Sequence, residues 1–156
     1  KAVDAVVLSE PFATLAIRSG SAVLADLSQL GVTYSMHGFG ARKSFIQANR
    51  DVVVRFMKAY LEGIYVFKTN KDLALNVLKK YTRLDDLSLV QVAYDEMSQR
   101  LIRRMPYPDR EGIQTIIDQL AKTRPQMKNL NPGDFIDPSI LKEIDDSGFI
   151  KKLYGN

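Results

Sequence analysis

Three short stretches of this chain carry side chains whose types and spacing could do chemistry. In Ser9-Glu10-Pro11 a hydroxyl and a carboxylate stand where an apolar run ends and a helix begins. Helix N-termini present free N–H groups at such places, and ligands of open α/β sheets bind beyond the strand ends. Ser9 can then offer a hydroxyl, and Glu10 an acceptor for an ammonium, an amidine or a ring N–H. The competing structural role is a Ser9 cap with Glu10 sitting well in the helix dipole, worth about 0.3 to 1 kcal/mol. A carboxylate facing the cleft would also disfavour nitrate or a sulfonate, because two like charges would be buried together. The second stretch is Tyr34 to Phe39, YSMHGF, which holds the only histidine, His37, between Met36 and Gly38. Tyr34, His37 and Gly38 could meet a small molecule, since aromatic and polar groups line such clefts and a glycine admits close approach. A lone histidine lacks partners at ligand spacing, so no metal is expected. The third stretch, YPDREG from Tyr107 to Gly112, reads as a helix start, with Pro108 and Asp109 opening the helix and Glu111 favouring its first turn. Tyr60, Tyr65 and Phe67 fall at helical spacing and read as packed core. No nucleophile stands with a base, so neither a catalytic residue nor a cofactor is expected.

The elements that would position these groups come in a lopsided order. Val3 to Leu8 is nearly all apolar, as in a strand buried on both faces of a parallel sheet. A helix follows, with Pro11 in its first turn and Gly20 as its stop, and then a second short strand from Ser21 to Asp26. Such a strand-helix-strand unit carries a right-handed crossover, and its other strands must come from elsewhere. Gly31 to Ala41 reads as a strand or crossover with close backbone approaches at Gly38 and Gly40. Everything beyond reads as helical. Asn49 opens a long helix with Val53, Phe56, Met57, Tyr60, Ile64 and Phe67 on its apolar face. Thr69 and Asp72 suggest a capping box for a second helix, with Leu73, Val77, Leu78 and Tyr81 inward. Asp85 starts a third, with Leu87, Val90, Tyr94, Met97 and Leu101 on one side. A fourth carries Ile113, Ile116, Ile117 and Leu120. Lys122 to Asp134 reads as a surface loop, Asp137-Pro138 as a helix start and Ser147-Gly148 as a stop.

Composition narrows the classes. The chain has 156 residues, 46% of them apolar, enough for a real core. Its net charge of +4 comes from 22 basic residues interleaved with 18 acidic ones, which reads as solvated surface rather than a nucleic-acid footprint. The sequence has no cysteine, which removes disulfides, thiolate metal sites and a cysteine nucleophile. No apolar run approaches the roughly 20 residues that a membrane span needs.

The order of the elements and the words that fill them resemble the C-terminal half of a periplasmic solute-binding protein of the nitrate/sulfonate/taurine group of ABC transporters. The words are Asp4-Ala5 with Glu10-Pro11, then Ser44-Phe45-Ile46, Asn49, Val53, Phe56, Ala59-Tyr60 and Gly63. They continue with Phe67 to Asn70, Pro106 to Gln114, and Asp145 with Ser147 to Ile150. The resemblance implies an α/β chain with a partial type II periplasmic-binding fold. Residues 1-32 would belong to the second lobe, 33-43 would form the hinge crossover, and 44-156 the helical C-terminal part of the first lobe. It implies a fragment, completed by a missing N-terminal half or a second copy of the chain. It also implies a periplasmic or otherwise extracytoplasmic location, with any leader outside these residues. The implied role is capture of a small solute between lobes and delivery to an ABC permease in the membrane, with no enzymatic step. Together with Glu10, it favours a cationic or neutral heterocyclic solute. Two alternatives share the fold family. One is the pyrimidine synthase of thiamine biosynthesis, whose cysteine-rich crossover word is replaced here by YSMHGFG. The other is the effector lobe of a transcriptional regulator, which the long helical tail does not fit. An inactive truncated product is the third possibility.

Overall fold

The computed structural model describes residues 3–35 and 37–155. Among them eight α-helices form: α1 (Phe12–Arg18), α2 (Lys43–Ala48), α3 (Arg50–Thr69), α4 (Lys71–Thr82), α5 (Leu87–Glu96), α6 (Arg110–Ala121), α7 (Ser139–Asp146) and α8 (Phe149–Tyr154). No strand forms among the described residues. The expected α/β class, and with it the type II periplasmic-binding fold, is corrected to an all-helical one. Val3 and Val7, expected in a doubly buried strand, are 75% and 78% exposed, and Leu24, expected in the second short strand, is 81% exposed. The reason lies in what a strand requires. Its propensity is realised only against neighbouring strands, and an isolated pair is marginal in water. This chain supplies too few strand-forming segments to build a sheet of its own.

The chain divides into two compact units, Lys1–Ala25 with Gly63–Arg104 and Asp26–Glu62 with Met105–Asn156. In the first unit the core is built from Ala74 of α4 and from Leu89, Val90, Ala93 and Tyr94 of α5. The helix starts are chemically specified. The Asn70 side chain accepts from the Leu73 N–H (3.1 Å), so Asn70 caps α4 rather than the expected Thr69, whose hydroxyl turns back to the Tyr65 carbonyl. Asp86, one residue beyond the expected Asp85, caps α5 through the Ser88 N–H at 2.8 Å. Arg18 of α1 reaches the same place, 3.2 Å from Asp86 and 2.8 Å from the Ser88 hydroxyl. Past α5 the chain widens into a single π turn, Met97–Leu101, where the Ile102 N–H bonds the Met97 carbonyl at 2.8 Å. Lys68 donates to the Ser98 carbonyl of that turn. Burial, helped by nearby Arg104, holds the Lys68 ammonium below its ordinary pKa.

The inward faces differ from the expected ones where apolar residues are dense. On α4 the buried position is Ala74, while Leu73, Val77 and Tyr81 are exposed. On α5 the exposed Leu87 gives way to Leu89 and Ala93, and beyond the π turn Leu101 is exposed as well. Adjacent apolar residues satisfy two helical faces at once, and packing decides between them.

The second unit holds the start of α3, with α2, α6, α7 and α8. Leu61, absent from the expected face, is its most buried α3 residue, at 1% exposure. Ile140, Leu141 and Ile144 of α7 and Ile117 of α6 are buried with it in this unit. Arg50 joins the first turn of α3 to α7 through a two-nitrogen contact with Glu143, at 2.6 and 3.0 Å. Asp137 caps α7 through the Ser139 N–H (2.9 Å), and Gly148, at φ 73°, ends the stretch before α8.

Hydrogen bonding, from Ser88 and Ser139 respectively, lowers the pKa values of Asp86 and Asp137 from 3.8. A carboxylate with a depressed folded-state pKa contributes stability above its unfolded value, and that contribution is lost as pH falls through the folded one. Acid denaturation followed by circular dichroism should therefore show a flatter pH dependence below about pH 4 for Asp86→Asn and Asp137→Asn than for the parent chain. Parallel acid limbs would exclude these caps as the source.

Candidate functional site

The six residues singled out from the sequence divide between the two units: Ser9, Glu10 and Pro11 in the first, Tyr34, His37 and Gly38 in the second. At the Ser9-Glu10-Pro11 elbow, the N–H groups of Ala13, Thr14 and Leu15 in the first turn of α1 are already engaged. Ala13 donates to the Ser9 carbonyl (3.1 Å), Thr14 to Oε2 of Glu10 (3.2 Å) and Leu15 to the Pro11 carbonyl (3.1 Å). Pro11 is buried at the N-cap position and Ser9 is exposed. The Glu10 carboxylate thus serves its own helix. The argument for a cationic solute rested on that carboxylate facing a cleft, and this geometry gives it another occupation.

In the segment before α2, the close approaches expected at Gly38 and Gly40 are not made, since a Cβ built at either meets nothing within 4 Å. His37 and Gly38 are exposed. Met36 lies outside the described residues. Phe39 packs edge-on against two rings of α3, Phe56 at 4.9 Å and Tyr60 at 4.8 Å between centroids. Tyr60 is accordingly a partner for the incoming segment rather than deep core, whereas Phe67 packs against Tyr94 at 5.3 Å in the first unit.

The close approach occurs instead at Gly112. A Cβ there would stand 2.7 Å from the Ser35 nitrogen and 3.1 Å from the Tyr34 carbonyl carbon, so the backbone of residues 34–35 lies directly on α6. The local sequence prepares this contact. Asp109 caps α6 by accepting from the Glu111 N–H (3.0 Å), which confirms the helix-start reading of YPDREG and places Gly112 in the first turn. Arg110 is drawn sideways to Asn131 at 2.9 Å. Tyr107 donates toward Asp145 at 3.4 Å, and partial desolvation, with that carboxylate beside it, raises the phenol above its ordinary pKa.

Beside the contact runs an open surface groove of about 420 Å³, lined by Val32, Tyr34, Thr115, Asp118, Gln119 and Lys122. Tyr34 is the only one of the six expected residues that lines it. Thr115, Asp118 and Gln119 of α6 and Lys122, the residue that caps its C-terminus, follow helical spacing, so this side of the helix and its cap present a hydroxyl, a carboxylate, a carboxamide and an ammonium. In sequence alone such a stripe is indistinguishable from a solvated helix face. Nothing local in the sequence marks it; the contact at Gly112, whose neighbours lie two and three residues beyond Val32, shows only in the fold. Among the described residues no group of three or more His, Asp or Glu side chains is placed to hold a metal ion, and no helix is long and apolar enough to cross a membrane.

No family model, curated protein or solved structure matches the chain.

Proposed function

We propose that this chain belongs to the solute-binding component of an ABC import system, which captures a small solute outside the cytoplasm and delivers it to a membrane permease. The observation that carries this reading is the order of the sequence words, from Asp4-Ala5 and Glu10-Pro11, through Ser44-Phe45-Ile46, Asn49 and Gly63, to Ser147 through Ile150. Each word is short, and their succession along the whole chain gives the reading its specificity. Tyr34, one of the residues at the expected hinge, lines an open groove beside α6. The reading takes the chain as one part of a binding protein whose other part, or a second copy, joins it. In this role the protein performs no covalent chemistry, and specificity comes from shape and paired charges.

A ligand that binds only the native state raises the melting temperature, by the equivalent of about 2.7 kcal/mol at a hundredfold excess over Kd. Thermal melting against pyrimidines, polyamines, amino acids and sulfonates should therefore show a shift with one class and none with the rest. A melting temperature unmoved by the whole panel would overturn the solute-binding role. A shift with sulfonates alone would leave the role standing and remove Glu10 from the ligand's surroundings.

A further inference from the structure

We infer that the groove between residues 32–34 and α6 binds a small zwitterion with an aromatic body, in chemical class an aromatic α-amino acid. This rests on the solute-binding reading and deepens it. The groove is ampholytic, with Asp118 of α6 and Lys122, the C-cap of that helix, one turn apart. Three other opposite-charge pairs at that spacing close on each other, Asp51 with Arg55 at 3.1 Å, Glu96 with Arg100 at 3.2 Å and Lys142 with Asp146 at 3.0 Å, while Lys68, four residues before Asp72, donates to the Ser98 carbonyl instead. Asp118 and Lys122 make no such pair. Where Lys58 leaves Glu62 unpaired, its ammonium lies 5.4 Å from the Phe149 ring centroid. Among the described residues, Lys122 has no comparable alternative.

The other groups follow the same pattern. Gln114 donates to one oxygen of Asp118 at 2.8 Å, which orients the carboxylate and leaves its second oxygen open. Among the described residues no hydrogen bond engages the Gln119 amide or the Tyr34 hydroxyl. Thr115 donates to the Glu111 carbonyl at 3.2 Å, so its oxygen is left as an acceptor. A ligand ammonium fits the open Asp118 oxygen, and its carboxylate fits Lys122, with Gln119 within the same lining. The body of the solute lies along Val32 and the half-exposed Tyr34 ring, which favours a flat aromatic over a branched chain. The Gly112 contact fixes this wall, because residues 34–35 cannot lift without losing their seat on α6. The wall is therefore formed before the ligand arrives.

The test is titration of the ¹⁵N-labelled chain with L-phenylalanine, with 3-phenylpropionate and 2-phenylethylamine as probes lacking the ammonium and the carboxylate. The expected result is amide shifts confined to residues 32–35 and 112–122, with each probe at least about tenfold weaker than the amino acid, the scale of one charge-assisted hydrogen bond. Asp118→Asn and Lys122→Met, both at exposed positions that leave the fold intact, should each weaken phenylalanine by a similar factor. Tyr34→Ala should weaken it, and Tyr34→Phe should restore most of the affinity. Equal affinity for phenylalanine and 2-phenylethylamine, unchanged binding by the Asp118 variant, or shifts mapping elsewhere would each overturn the groove assignment. If a different class from the melting panel binds while phenylalanine does not, this inference fails and the solute-binding role survives. If nothing binds, both fall.

Discussion

Replacing Gly112 by alanine should destabilise the unit that contains α6 by about 1 to 3 kcal/mol, the cost of adding a methyl group to a packed contact. The added carbon would meet the Ser35 nitrogen at 2.7 Å and the Tyr34 carbonyl carbon at 3.1 Å, both main-chain atoms that no rotamer change can move aside. On an exposed helix the same change would stabilise by up to about 1 kcal/mol, because alanine is the better helix former. The two effects have opposite signs, so the experiment discriminates sharply. Urea denaturation gives the direction, and amide exchange at residues 34–35 tells whether the segment has come off α6. A stabilised variant with unchanged exchange would mean that the segment does not rest on the helix. Gly63→Ala serves as the control, since a Cβ there meets nothing within 4 Å and α3 should gain from the change.

Ile144→Ala should produce the second large effect. The side chain is 1% exposed, on the buried face that Ile140 and Leu141 share. Truncating a buried isoleucine removes its transfer free energy and leaves a cavity, together about 2 to 5 kcal/mol. At 2 to 4 °C per kcal/mol, a loss of ~3 kcal/mol lowers the melting temperature by roughly 6 to 12 °C. The contrast is Leu73→Ala on α4, which stands 46% exposed although helical spacing points it inward. That change should stay within about 0.5 kcal/mol. If the two variants melt alike, the assignment of inward faces is wrong on at least one helix.

These pairs show which parts of the fold could be read from residues alone. Helix positions were legible because caps and periodicity agree. Asp109 opens α6 and Gly148 follows α7 where local chemistry demands them. The capping residue was misplaced where two candidates adjoin, as with Thr69 and Asn70 or Asp85 and Asp86, since either side chain can reach a free N–H. The strands were over-read. Val3 to Leu8 has the composition of a buried strand, yet that composition states a preference for partners and cannot supply them. Tyr34, singled out for its type and setting, lines the groove beside α6. Asp118 and Lys122 were missed because a charged stripe on a helix looks the same in sequence whether it faces water or a groove. The glycines that drew attention, Gly38 and Gly40, lie open, while Gly112 holds the contact; only its cross-chain neighbour distinguishes it.

The exposed apolar segment before α1 also bears on association between copies of the chain. Val3, Val6, Val7 and Leu8 are exposed in close succession, and this run of high β-propensity is interrupted by a single charge, Asp4. Runs of this kind seed intermolecular β pairing when nothing covers them. The net charge of +4 supplies a colloidal repulsion that salt screens within about 8 Å at physiological ionic strength. Turbidity or light scattering should therefore rise with added salt and with protein concentration, and replacing Val6 and Val7 by threonine and lysine should reduce that rise.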